Sequence, residues 1–236
     1  MKDEHDRPDE GSPLRLRSRV AALAAPAIVC CLLAGCGTDH DAVATQPSPT
    51  AHATVGPQFY DTRNPPPPEG TITPAPGSWD GVHPPHGYRV VLVSMGTDKP
   101  TRTLRDAVEA WAASEQVELQ HIVVDDHDQI VGKVTRAIEL QPDLVISVGN
   151  DLIDPMAMIT AAHLGQQFLV VGAELAEPTE NVTAADWTGA SFRGEGLGRA
   201  AGHDPTSFTP ERTARAVRAG VAAVLSNHTG IVVWID

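Results

Sequence analysis

The chain has 236 residues, 42% hydrophobic but only 4% aromatic, with 30 acidic and 17 basic side chains and a net charge of −13. A phosphate backbone and an anionic lipid surface would both repel it, which argues against nucleic acid as a partner and against charge as a means of holding a membrane. The first 36 residues carry acids and bases in equal number, so the whole excess falls on the rest.

Residues 1–19 are polar and finish with Arg15, Arg17 and Arg19, whereas Val20 to Gly35 are uncharged and mostly Ala, Val, Leu and Ile. A basic region, an apolar stretch and a small-residue exit are the layout of a secretory signal. The uncharged run is 16 residues long. That is short of the ~20 needed to span a bilayer as a helix, and Pro26 interrupts it. Leu33-Ala34-Gly35-Cys36 resembles the lipobox of bacterial lipoproteins. The resemblance implies cleavage before Cys36 and a diacylglycerol on its sulfur, followed by a third acyl chain. At about 0.8 kcal/mol per buried CH₂, two or more chains anchor stably where one does not. The alternative is an uncleaved amino-terminal anchor helix. The only cysteines are Cys30, Cys31 and Cys36. Two leave with the signal and the third is acylated, so the expected mature chain has no free thiol, disulfide or cysteine metal site.

Residues 37–87 are rich in Pro, Thr and Gly and show neither helical nor strand period. The run Pro65 to Pro68 favours polyproline II. A disordered tether is expected here, roughly 150 Å long if extended and nearer 40 Å as a coil. Phe59, Tyr60 and Trp79 are the side chains that would let it dock on a domain instead. His83 and His86 flank Pro84-Pro85 but fall short of a metal ligand set.

From Tyr88 the pattern alternates. Residues 88–95 form an apolar run that ends at Gly96, and Leu104, Ala107, Val108 and Trp111 recur at helical spacing. Residues 119–124 predict a second strand. Ile130, Val131, Val134, Ala137 and Ile138 mark a second helix with Asp128 as its cap. Residues 143–148 predict a third strand, followed by Asp154-Pro155 as N-cap and first helical position. Residues 167–171 and 181–187 predict two more strands. Thr209-Pro210-Glu211 opens a last helix with an apolar stripe of Ala214, Val217, Val221, Val224 and Leu225, and Arg212, Arg215 and Arg218 on another side. Residues 231–235 then form a strand that pairs with the same sheet or with a partner chain. Apolar strands alternating with amphipathic helices predict an α/β fold, a three-layer sandwich with a mostly parallel sheet, over 88–236.

Ligands of such sheets bind outside the carboxyl ends of the strands, where strand order reverses. This nominates the loops that hold Asp98 and Lys99, Asn150 and Asp151, and Glu174 as ligand-binding positions. No G-x-S-x-G, H-E-x-x-H or P-loop is present, and "RGEGLG" does not follow a clear strand. Residues 121–140 imitate the opening of a response-regulator receiver, but the third strand ends Ser147-Val148-Gly149 with no Asp to accept phosphate. The expectation is a non-enzyme without a cofactor.

Three stretches, 94–111, 141–174 and 218–236, resemble the basic membrane protein family. These are lipoproteins of the periplasmic-binding-protein type that deliver solutes, nucleosides among them, to ABC importers. The resemblance implies a type 1 periplasmic-binding-protein lobe, a small-molecule solute, an ABC permease as partner and a place on the extracytoplasmic face of the cell membrane. After the Asp-Lys pair the family carries an aromatic and an Asn, where this chain has Pro100, Thr101 and Arg102. The family's second lobe would begin about where Asp236 stands, so one lobe is expected here. A one-lobed surface scaffold or sensor that acts through protein contacts is the alternative.

Overall fold

The computed structural model describes residues 50–176, 178–192 and 202–236. The signal segment, Cys36 and the start of the expected tether lie outside them. In chain order the elements are β1 (Thr71–Ile72), β2 (Arg89–Met95), α1 (Lys99–Glu115), β3 (Glu118–Val124), α2 (Ile130–Glu139), β4 (Leu144–Val148) and α3 (Ile153–Ala161). There follow β5 (Phe168–Val171), β6 (Ala173–Glu174), β7 (Val182–Asp186), β8 (Ser191–Phe192), α4 (Pro210–Leu225) and β9 (Val232–Trp234).

Seven strands form one sheet in the order β1-β9-β7-β5-β4-β2-β3, and every pairing is parallel. The short β6 and β8 pair separately, also in parallel. Strand side chains alternate between the faces. Val90 and Leu92 of β2 therefore join Leu104, Val108 and Trp111 of α1 and Val217 and Val221 of α4 in one core. Val91, Val93 and Met95 join Val134, Met156 and Ile159 of α2 and α3 in the other. A parallel sheet with both faces covered by helices is a three-layer α/β domain, the architecture of a type 1 periplasmic-binding-protein lobe. The strand at 232–234 completes this domain's own sheet, between β7 and β1.

Three local details depart from the sequence reading. Asp126, not Asp128, caps the turn before α2: its carboxylate accepts from the Asp128 N–H at 3.0 Å, and residues 127–129 form a 3₁₀ turn. Asp154 lies inside the first turn of α3, because a 3₁₀ turn at Asn150–Leu152 starts the winding earlier. On α4, Ala214 is exposed while Thr213, Ala216 and Gly220 are buried. Gly220 lets the helix press on β5: a Cβ there would stand 2.6 Å from Leu169 Cδ1. The arginines of α4 find partners within the chain, Arg212 on the Ser207 carbonyl, Arg215 on the Asp236 carbonyl and Arg218 beside Asp80.

The larger departure is the expected tether. From Thr50 to Gly87 the chain forms a strap packed on the domain, with Phe59 2% and Trp79 5% exposed. Their rings meet edge to face at 6.5 Å. Tyr60 lies flat on His228, 3.8 Å between ring centres. The Glu69 N–H donates to the Gly230 carbonyl and the Val232 N–H to the Gly70 carbonyl, which sets β1 beside β9. Proline content disfavours helix and inner strands but leaves aromatic burial open, and burying these rings fixes the segment. Replacing Phe59 with Ala should cost about 3–5 kcal/mol and lower Tm by about 10 °C. A thermal melt with no shift would mean that the strap does not contribute to the fold.

Candidate functional site

In an all-parallel sheet every strand exits at the same end. Here the chain passes from β2 outward to β3 and then back across to β4, so strand order reverses between β2 and β4. A cavity of about 620 Å³ opens at that point, beyond the carboxyl ends of β2, β4 and β5. This size suits a small organic molecule. Asp98, Lys99, Asn150 and Asp151, four of the positions nominated from sequence, line it.

Each rim residue is set by local backbone chemistry. Asp98 caps α1: one carboxylate oxygen accepts from the Thr101 N–H at 2.9 Å and the other from the Thr101 hydroxyl at 2.7 Å. Partial burial pushes the Asp98 carboxyl up, but the Thr101 hydrogen bonds and the nearby Arg102 charge outweigh it and hold the group below its ordinary range. Arg102 also donates to the Thr97 carbonyl. Lys99, at the first position of α1, is exposed. Asp151 sits 3.9 Å from the His127 ring. The apolar floor is Met95, Leu104, Ile153 and Phe208.

Gly149 brings the β2 and β4 exits together. Its φ is +116°, and a Cβ there would fall 2.1 Å from the Met95 carbonyl oxygen. Gly172 plays the same part after β5, where a Cβ would meet Phe208 and Leu104 within 3.1 Å.

One wall escaped the sequence reading. His203, Pro205 and Phe208 line the cavity from a segment between β8 and α4. Phe208 packs edge-on to Trp187 at 5.0 Å, and the Trp187 Nε1–H donates to the Ser207 hydroxyl at 3.0 Å. Asp204 accepts from the Thr206 N–H and hydroxyl, closing the turn that presents Phe208. An Asp-Pro turn followed at once by the Thr209-Pro210 cap was the available signal, since a phenylalanine held between two turn formers has little freedom.

Glu174 does not line the cavity. It follows the lining residue Ala173 and forms a hydrogen bond with Asp186 at the carboxyl end of β7. Asp186 is 1% exposed, and its Oδ1 has no hydrogen-bond partner among the described residues. Burial pushes the Asp186 carboxyl up, and the Glu174 charge adds to the rise. The Trp187 N–H opposes it, and the result is about 8. Burial also raises Glu174, offset in part by the bond from Asp186. Near neutrality such a pair holds one proton between two carboxyls. Among the described residues no group of three or more His, Cys, Asp or Glu side chains is placed to hold a metal ion.

No family model and no curated protein matches the chain. Solved structures do. A solute-binding protein of an ABC transporter system from Aeropyrum pernix K1 shares 14% identity over 43% of this chain and 29% of its own, with a TM-score of 0.39. A fragment of a putative lipoprotein from Peptoclostridium difficile 630 shares 16% over 58% of this chain and 96% of its own, TM-score 0.43. A periplasmic ribose ABC transporter protein from Conexibacter woesei DSM 14684 shares 16% over 63% and 54%, TM-score 0.35. This chain thus spans less than a third of the first and about half of the last. The likeness is confined to general layout, and strand order carries the fold assignment.

Two outcomes follow. Gly149→Ala should destabilise by about 3 kcal/mol through strain and overlap. Gly132→Ala in α2, where a Cβ meets nothing within 4 Å, should stabilise by up to about 1 kcal/mol. Chemical denaturation measures both, and equal effects would contradict the close approach at Gly149. The second outcome concerns pH. A carboxyl whose folded pKa is raised favours the fold while protonated, so its contribution is present below about pH 4 and is lost as pH rises toward 8. Burial depresses His121 and His228, which act in the opposite sense as pH falls through the ordinary histidine range. Asp186→Asn leaves both histidines in place. The variant should therefore gain several degrees of Tm on the wild type between pH 5 and pH 8, and parallel profiles would exclude a strained carboxyl pair.

Proposed function

We propose that this chain is a lipid-anchored, extracytoplasmic binding protein of the ABC-transport solute-binding type, without catalytic activity. The observation that carries the reading is the cavity at the β2/β4 reversal, with Asp98, Lys99, Asn150 and Asp151 at its rim over an apolar floor. An acceptor pair, an ammonium and an amide above Met95, Leu104 and Phe208 suit a small molecule with hydroxyl or amide groups on one side and a flat or apolar body on the other. A nucleoside of the kind handled by basic membrane proteins has this character. Glu174, through its bond to Asp186, would hold the β6 backbone beside Ala173 and is a positioning residue. Among the described residues no helix is long and apolar enough to cross a membrane. The reading rests anchorage on the lipobox resemblance at Cys36, with an ABC permease as partner.

A thermal-shift screen of the mature chain against nucleosides and sugars tests the binding part. A ligand at 100-fold excess over its Kd should add about 2.7 kcal/mol of stability, which is roughly 5–10 °C for a domain of this size. Lys99→Ala and Asp151→Ala, both exposed, should keep the unliganded Tm and lose most of the shift. Silence across the screen, with a protein partner trapped by crosslinking at the same rim, would replace this reading with the scaffold alternative.

A further inference from the structure

We infer that Ser147 selects the buried end of the solute, and that this end carries a hydrogen-bond acceptor instead of a bare hydrocarbon edge. The inference deepens, and rests on, the reading of the 620 Å³ cavity as a solute site. Ser147 is the one polar residue of β4, whose other members are Leu144, Val145, Ile146 and Val148. It pairs in register with Val93 of β2 and Val170 of β5, inside the sheet. Serine fits such a pleated apolar surface less well than valine. Ser147 is 2% exposed and lines the cavity. The lining residues Met95, Ile153, Val170 and Ala173 offer its side chain no polar partner. Among the described residues its hydroxyl makes no hydrogen bond. Other buried polar side chains behave differently. Ser94 on β2 bonds to the His121 ring at 2.8 Å, and Asn181 donates to the carbonyls of Thr160, His163 and Gln166. Thr183 and Ser226 also lack a partner among the described residues, but neither lines this cavity. Ser147 combines burial, a free hydroxyl and access to the cavity.

Depth decides which part of a solute meets it. Ser147 lies two residues before the turn at Gly149, ~7 Å below the rim at strand rise. At the rim, both Asp98 oxygens are engaged by Thr101, and Asp151 stands beside His127. A solute that reaches Ser147 therefore carries polar groups at both ends and lays its body on Met95, Leu104 and Phe208. In a nucleoside held this way the ribose hydroxyls meet the rim, and the far edge of the base meets Ser147. A carbonyl on that edge accepts from the hydroxyl, whereas a C–H edge buries it unpaired. A site built to hydrogen-bond one group of a solute rejects the analogue that lacks it.

The test is calorimetric titration of the full chain in detergent with inosine and with benzimidazole riboside. Both carry ribose on a fused bicyclic ring, but the six-membered edge of the second is hydrocarbon. Wild type should bind inosine about tenfold more tightly. Ser147→Ala should weaken inosine about tenfold and leave benzimidazole riboside within about twofold, which closes the gap. Thr183→Val removes an unpartnered hydroxyl outside the cavity and should keep the preference. The unliganded Tm of Ser147→Ala should match or exceed that of wild type, since no bond is lost. A lower Tm would reveal a partner within the protein and overturn the inference. No preference in wild type, equal losses for both probes, or no loss for inosine would also overturn it. Each of these three refutes the role of Ser147 alone and leaves the solute-binding reading standing. Failure of wild type to bind either probe removes the nucleoside reading and the inference with it.

Discussion

β2, β4, β5, β7 and β9 are hydrogen-bonded on both sides, and helices cover both faces of the sheet they form. Their backbone polar groups are satisfied within the sheet, and apolar side chains fill both faces. Water and solutes can reach this architecture only at the strand ends and at the two edges. The ends are not equivalent. Parallel strands all release the chain in one direction, so the helix N-termini, their capping groups and the close-packed glycine turns gather at the exits. The cavity lies where the winding direction changes, because the connections after β2 and β4 depart to opposite faces and leave a gap between them.

The edges are treated differently. β3 is an outer strand, with Val123 exposed and polar residues spaced along it, a common defence against pairing with other chains. At the other side β9 would present an open ladder next to the apolar surface of α4. The strap covers both: β1 takes the ladder, while Phe59 and Trp79 join the core that α4 shares with the sheet. A proline-rich segment suits this task, since it restricts the backbone without competing for hydrogen bonds that the sheet needs.

The apolar runs 90–93 and 144–148 were readable as inner strands because continuous hydrophobicity has few other uses at that length. Thr209 was readable as a cap because capping is a local matter. The fold class and four rim positions followed from those strands and from where such sheets bind ligands. What was not readable depends on partners remote in sequence. Phe59 and Trp79 have no periodic neighbours, and they are buried in a core cluster whose other members come from the domain far downstream. Glu174 looks like an ordinary loop residue, and Asp186 like the polar end of a strand. Only the crossing of β6 past β7 sets them side by side. Phe208 becomes part of the cavity because Trp187, just after β7, gives it a surface to lean on. The shifts from Asp128 to Asp126 and from Asp154 to a turn starting at Asn150 have a simpler cause: 3₁₀ turns precede both helices, and a side-chain pattern does not distinguish them from the helix proper.

The pairing of β1 with β9 joins residues roughly 160 positions apart, so the closure entropy of nearly the whole domain opposes it until the rest has formed. The first part of the described chain to emerge from a ribosome is thus the last to find its place. For the exported lipoprotein proposed above, this delay would be useful. The leading segment cannot seal the fold while its closing strand is still on the far side. On that proposal, topology would hold folding behind export.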